Sequence, residues 1–175
     1  ILERRRAFVS ELEGMFQVYY DRVSLGREKV MLEYSTTIKD DDFPTSLRGS
    51  FERDRILTYT TVGVHRDDLN LSLEGYLVKK LGSQGQKKSF LTALKLAQFA
   101  YLVKQKGVKP LLLLDDIFDK LDADRVSQII QIVSSTDFGQ VFVTDTNREH
   151  IDEILQQHAM EYKIFHVERG EVMDL

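Results

Sequence analysis

The fold is decided by one stretch of the sequence, Pro110-Leu111-Leu112-Leu113-Leu114-Asp115-Asp116. Four leucines in a row after a proline predict a strand buried on both faces, because strands inside a parallel sheet are apolar throughout. The two carboxylates stand where this strand ends, and the ligand crevice of an open α/β sheet lies at that edge. The stretch therefore predicts a core strand that carries two acids into a crevice. The alternative is that the acids only form the turn after the strand.

The two acids have the arrangement of a Walker B motif, which is typical of nucleotide-hydrolysing proteins. Asp115 is then expected to hold the Mg²⁺ of a nucleotide through oxygen ligation. Asp116 is expected to orient or deprotonate the attacking water. These two roles are the chemistry that the motif predicts.

A second motif, Gly82-Ser83-Gln84-Gly85-Gln86, opens the long helix predicted over 83–106. Ser83 with Gln86 three residues later is a capping box, which by itself explains the motif structurally. A capped helix start that contains glycine also presents backbone N–H groups and the positive end of the helix dipole, which suits a phosphate. Lys87 and Lys88 add positive charge in the first turn.

The remaining pattern places these motifs in an α/β chain. Helices are predicted over 1–22, 44–57, 122–134 and 149–158, and strands over 30–36, 58–64, 69–73, 140–144, 163–167 and 171–173. Glu74-Gly75 predicts a turn, and Gly107 predicts the C-terminal cap of the long helix. From residue 83 onward strands and helices alternate, which predicts a parallel sheet.

Composition excludes several classes of protein. The 175 residues contain no cysteine, so disulfides and thiolate metal sites are excluded, and no apolar run approaches the ~20 residues of a membrane span. The net charge of −4 argues against a surface that is basic all over, and leaves only local basic clusters to contact nucleic acid. A start at Ile1, without Met, predicts a piece of a longer protein.

The order of the two motifs resembles that of ABC-type ATPases, in which a signature, a long helix and the Walker B strand follow one another. Leu121-Asp122, shortly after the double acid, resembles the D-loop. The segment Val62-Gly63-Val64-His65-Arg66-Asp67-Asp68-Leu69 is similar to one found in the RecF family of DNA-repair ATPases. The resemblance covers 58–175 well and 1–57 loosely.

This resemblance implies an α/β fold, namely the C-terminal half of an ABC-type ATPase head over 58–175 and the remnant of a mainly helical second lobe over 1–57. It implies that Ser83, Gln84, Gly85 and Gln86 meet the ATP of a partner subunit, with Asp122 in the D-loop. The cofactors are then ATP and Mg²⁺. The implied protein is a cytoplasmic, ATP-dependent homodimer on gapped DNA that works with RecO and RecR to load RecA.

The chain departs from the family's pattern at several places. Asp119-Lys120 stands before Leu121-Asp122, where family members usually have a small residue and Glu. No Gly-x-x-x-x-Gly-Lys-Ser/Thr sequence occurs, so the P-loop is absent and we expect this chain alone to bind nucleotide weakly or not at all. The switch histidine is also absent, and Thr144 and Asp145 stand at that position. Thr146 follows them, and whether Asp145 or Thr146 senses the γ-phosphate is left open by the sequence.

The cluster His65, Arg66 and Asp67 has two interpretations. As an isolated cluster it predicts a salt-bridged structural turn, whereas the family context predicts a place near the nucleotide or the lobe interface. Two alternative functions also remain. One is an SMC-like chromosome ATPase head half, and the other is a non-enzymatic α/β interaction module in which the acids only end a strand.

Overall fold

A computed structural model describes residues 1–39, 42–116, 118–146 and 161–174 of the chain. Five α-helices and seven strands occur in these ranges. The helices are α1 Leu2–Ser24, α2 Phe43–Leu57, α3 Val78–Leu81, α4 Gln84–Lys106 and α5 Ala123–Val133. The strands are β1 Val30–Ser35, β2 Asp68–Leu73, β3 Tyr76–Leu77, β4 Leu112–Asp115, β5 Val141–Thr144, β6 Phe165–Glu168 and β7 Glu171–Asp174.

The predicted long helix is confirmed as α4, and its two ends form as the sequence indicates. Ser83 and Gln86 make both bonds of a capping box at its start. Gly107 ends the helix in the left-handed conformation, with φ at 68°, and donates its N–H to the carbonyl of Val103. Glycine adopts this conformation without the penalty that a Cβ brings, so it ends the helix at low cost.

Helix α1 packs along α4, and the two helices share a hydrophobic core in the described part of the chain. Phe16 and Tyr20 of α1 are fully buried, and their rings lie 5.2 and 4.7 Å from the ring of Phe90 in α4. Ala93 and Ala97 of α4 are also fully buried, so small side chains allow the close approach of the two helices. Burial of each aromatic ring stabilises the fold by roughly 1.5–3 kcal/mol.

An antiparallel sheet, in the order β1-β2-β3, adjoins this core. Its first strand lies before residue 57 and its second after it, with Leu32 opposite Leu71. The proposed division of the chain into 1–57 and 58–175 stays a prediction, but elements from the two parts pack together.

The second core lies under a parallel pair of strands, β4 and β5, which confirms the predicted parallel arrangement. Leu112 and Leu114 of β4 point into this core and pack with Ile129 of α5. The opposite face is open: Leu113 is 64% exposed and Phe142 of β5 is 45% exposed. The prediction of a strand buried on both faces is therefore wrong, because the described helices cover one side of the pair only.

Two other predictions have different outcomes. The strand predicted over 58–64 does not form; Thr58 ends α2 in the left-handed conformation, and a short 3-10 helix, Val64–Arg66, follows Gly63, whose φ is 140°. Local turns thus override the β-branched composition. The closing hairpin is confirmed as β6 and β7. The helix predicted over 149–158 lies outside the described residues. None of the described helices is long and apolar enough to cross a membrane.

Candidate functional site

Asp115 and Asp116 lie at the end of β4, beside the end of β5. Thr144 pairs with Asp115 across the two strands and donates its hydroxyl hydrogen to the carboxylate Oδ1 of Asp115. The backbone N–H of Asp116 lies 3.0 Å from the carbonyl oxygen of Thr144 and 3.2 Å from its hydroxyl oxygen. The sequence-predicted switch position is therefore in direct contact with both acids, and Asp145 follows it.

Lys88 reaches the same edge from the first turn of α4. Its ammonium donates to the backbone carbonyl of Asp116 and lies 3.6 Å from the Asp116 carboxylate and 3.8 Å from that of Asp119. Asp116 adopts a left-handed backbone with φ at 47°, a conformation that a non-glycine residue rarely takes. The motif predicts a phosphate as the partner of the Lys88 charge, whereas the described contacts of Lys88 are with the acids.

The carboxylates at this edge suit a Mg²⁺ that is bound mainly by nucleotide phosphates and water, and not a metal ion that is held by protein side chains alone. No three His, Asp or Glu side chains come together as a possible metal site in the described ranges. Mg²⁺ needs only one or two carboxylates when waters and phosphate oxygens complete its shell. Asp115 is exposed at the strand end and can provide such a ligand.

The space beside these acids is small. A cavity of about 40 Å³ is lined by Lys88, Leu91, Thr92, Lys95, Asp115 and Asp116. Pockets that enclose a small-molecule ligand measure about 300–1,000 Å³, so this cavity does not enclose a nucleotide. The described residues therefore offer one side of a site and not a closed pocket.

The signature segment forms an exposed helix start. The Ser83 hydroxyl oxygen accepts from the N–H of Gln86 at 3.1 Å, and the Gln86 side chain accepts from the N–H of Ser83 at 2.9 Å. Helix geometry leaves the N–H groups of Gln84 and Gly85 without an intrahelical acceptor. The cap and the phosphate-binding interpretation are thus compatible in the same residues.

Gly85 allows this helix start to approach the turn before α5. A Cβ added at Gly85 would lie 3.0 Å from the carbonyl oxygen of Lys120, closer than an ordinary contact. Asp122 follows that turn and caps α5 by accepting from the N–H of Arg125 at 2.9 Å. The segments that resemble the signature and the D-loop are therefore in contact.

An ion pair between Glu28 and Arg125, which the sequence does not predict, joins these segments. The two charged groups lie 3.1 Å apart, and both side chains are 15% exposed. Burial raises the pKa of the Glu28 carboxyl, but hydrogen bonds from Tyr20 and Gln86 and the charge of Arg125 outweigh it, so the pKa lies below its ordinary value. The partners are 97 residues apart, and no local pattern in the sequence indicates the pair.

The cluster of His65, Arg66 and Asp67 makes its described contacts elsewhere in the fold. Asp67 accepts from Arg5 of α1 at 2.7 Å and from the Tyr34 hydroxyl. His65 and Arg66 each place a side-chain nitrogen 3.2 Å from the carbonyl oxygen of Thr60. These contacts favour the interpretation as a structural turn that ties residues 60–67 to α1 and β1.

Comparison with known proteins identifies relatives over the whole chain. A DNA replication and repair protein RecF from Parabacteroides distasonis is 49% identical over 175 residues, which is 100% of this chain and 48% of that protein. The RecF of Flavobacterium johnsoniae is 46% identical over 167 residues, covering 95% of this chain and 46% of that protein. The chain thus spans about half the length of these relatives, and no family model matches it.

Solved structures share the fold. A recombination mediator protein RecF with ATP superposes with a TM-score of 0.71 at 24% identity, over 100% of this chain and 46% of that one. A structure from work on the ATP-driven dimerization of SMC ATPases gives a TM-score of 0.60 at 15% identity, over 99% of this chain and 88% of that one. These likenesses confirm the predicted ABC-type ATPase half-fold.

Proposed function

This chain belongs to the RecF family, matching the C-terminal part of its members, and from that premise we propose that it supplies half of an ATP site shared by two subunits. One observation carries the proposal. The capped start of α4, the acids at the end of β4 and the start of α5 are joined by direct contacts. In an ABC-type ATPase the signature meets the partner subunit's ATP, and the Walker B acids act on the ATP of their own subunit. In this chain the contacts hold both parts in one unit.

Each of these parts has a chemical role in the proposal. Asp115 binds the Mg²⁺ of the ATP held by its own subunit, and Asp116 orients or deprotonates water. When bound, Mg²⁺ neutralises charge on the phosphates. Gln84 and Gly85 offer backbone N–H groups at a helix start, and Ser83 offers its hydroxyl, to the ATP of the partner subunit, where the helix dipole favours negative charge.

The relatives support the biological part of the proposal. They are named as DNA replication and repair proteins, and the solved RecF structure is described as a recombination mediator in the RecFOR pathway. We assign to the full-length protein an ATP-dependent homodimer on gapped DNA, acting in the cytoplasm with RecO and RecR to load RecA. Within this chain, whose net charge is −4, contact with DNA is expected at local basic clusters only.

Light scattering of the full-length protein tests the shared site. The Asp116→Asn substitution is used to block ATP turnover. The molar mass of this variant in solution is measured with Mg-ATP and with Mg-ADP. We expect a dimer with Mg-ATP only. Adding Ser83→Arg should abolish the dimer, because the arginine fills the space of the phosphate. Adding Ser10→Arg, at an exposed position on α1, is the matched control and should leave it intact. A monomer with both nucleotides would instead favour a non-enzymatic interaction module.

A further inference from the structure

We propose that the ion pair of Glu28 and Arg125 fixes the signature helix and the D-loop helix as one rigid unit, and so sets the strength of the ATP-dependent dimer. The inference rests on the proposed function, because it concerns the surface that closes on the partner. Glu28 and Arg125 act as positioning residues: they contact the segments that meet the partner's ATP.

The guanidinium of Arg125 joins three parts of the chain. One nitrogen lies 3.1 Å from the carboxylate of Glu28, in the segment between α1 and β1. The second lies 2.6 Å from the hydroxyl oxygen of Ser89 in α4. The third, Nε, lies 3.2 Å from the carboxylate of Asp122. The planar fork of arginine provides these donors in a fixed geometry, which lysine cannot reproduce.

The carboxylate of Glu28 joins the same parts from the other side. It accepts from the Tyr20 hydroxyl of α1 and, at 3.0 Å, from the side-chain amide of Gln86. Gln86 is the residue whose side chain closes the capping box with Ser83. Glu28 therefore bonds directly to the last residue of the signature. Ser89, which donates to the carbonyl of Gly85 at 2.9 Å, connects Arg125 with the signature as well.

This network has a consequence for assembly. The signature and the D-loop must both be correctly placed when two subunits close on ATP, and an error of about 1 Å in such a site can cost ~10²-fold. Glu28→Gln removes the charge that faces the Arg125 guanidinium, and Arg125→Lys keeps a charge but loses the three-way fork. In both variants the two helix starts are then free to shift. None of the described contacts of Glu28 and Arg125 is with Asp115, the proposed ligand of the nucleotide-bound Mg²⁺, so we expect ATP binding to the same subunit to be unchanged.

The chain contains a matched control pair. Arg27 and Asp124 also lie 3.1 Å apart and join the same two elements, but both side chains are 61% exposed, and neither bonds to α4. An exposed pair of this kind contributes little to structure. Glu28→Gln and Arg125→Lys are therefore compared with Arg27→Gln and Asp124→Asn, each in full-length protein that carries Asp116→Asn.

The dimer dissociation constant with Mg-ATP is measured by sedimentation. The affinity of the monomer for ATP is measured by titration at a protein concentration below that constant. We expect Glu28→Gln and Arg125→Lys to raise the dimer dissociation constant by roughly 5–150-fold, the usual range of coupling between sites. We expect the affinity of the monomer for ATP to stay within about twofold, the usual range for a substitution that does not touch the site measured. The control variants should change neither quantity.

Three results would overturn the inference. The first is a dimer as strong as that of the control variants, and the second is a parallel loss of ATP affinity, which indicates general damage. The third is additivity when Glu28→Gln and Arg125→Lys are combined, because residues that act as one joint must be non-additive. Ser83→Arg separates the two proposals: if it leaves the dimer intact, the shared ATP site fails. If Ser83→Arg abolishes the dimer and the pair variants do not weaken it, only the inference fails.

Discussion

Replacement of Gly85 by alanine measures how closely the signature helix approaches the turn before α5. The new Cβ would lie 3.0 Å from the carbonyl oxygen of Lys120, where ordinary contacts begin at 3.4 Å. Crowding of this kind costs about 1–3 kcal/mol, and alanine gains up to ~1 kcal/mol of helix propensity over glycine. Gly14 of α1 provides the control, since a Cβ there meets nothing within 4 Å.

Denaturant unfolding of full-length Gly85→Ala and Gly14→Ala proteins gives the free energy of unfolding for each. Gly14→Ala should raise it by up to ~1 kcal/mol, and Gly85→Ala should fall below Gly14→Ala by about 1–3 kcal/mol. The slope with denaturant must be unchanged, so that both variants report the same transition. Equal stabilisation of the two variants would refute the close approach between α4 and the turn before α5.

Three further predictions concern the acids and the ion pair. Asp116→Asn should lower ATP turnover by ~10²–10⁴-fold while the ATP-dependent dimer persists, and unchanged hydrolysis would remove Asp116 from the mechanism. Lys88→Met should lower turnover with ATP affinity retained, because its ammonium holds the backbone carbonyl of Asp116; Lys87→Met is the control. Because the pKa of Glu28 is lowered in the folded state, its carboxylate stabilises the fold at pH values above its ordinary pKa of 4.5. This stabilisation is lost as the pH falls through the lower pKa of the folded state. Glu28→Gln should therefore remove part of the acid sensitivity seen in a pH titration of stability.

Features that depend on neighbouring residues were predictable from the sequence. The Ser83 and Gln86 capping box, the Gly107 cap and the Asp122 cap form as expected, because each uses bonds within four residues of chain. The parallel pairing of β4 and β5 followed from the alternation of strands and helices. The double acid was found for the same reason, since its position at a strand end is a local property.

Features that depend on distant parts of the chain were not predictable. A run of leucines indicates a strand but does not reveal what covers each face, so the exposure of Leu113 was missed. The segment 58–64 has β-branched residues, yet the left-handed turn at Thr58 and the bonds of Thr60 decide its path. Glu28 has no motif around it, and its role is visible only when folding brings Arg125 beside it.

The packing of α1 on α4 has a consequence for synthesis of the protein. The apolar stripe of α1, which includes Phe16 and Tyr20, finds its partners in a helix that ends about 80 residues further along the chain. A ribosome adds ~5–20 residues per second, so roughly 4–16 s pass between the synthesis of α1 and the completion of α4. During that interval the nascent chain exposes aromatic side chains that a holding chaperone can bind. Slower translation between α1 and α4 would lengthen this exposure, and a shorter connection would reduce it.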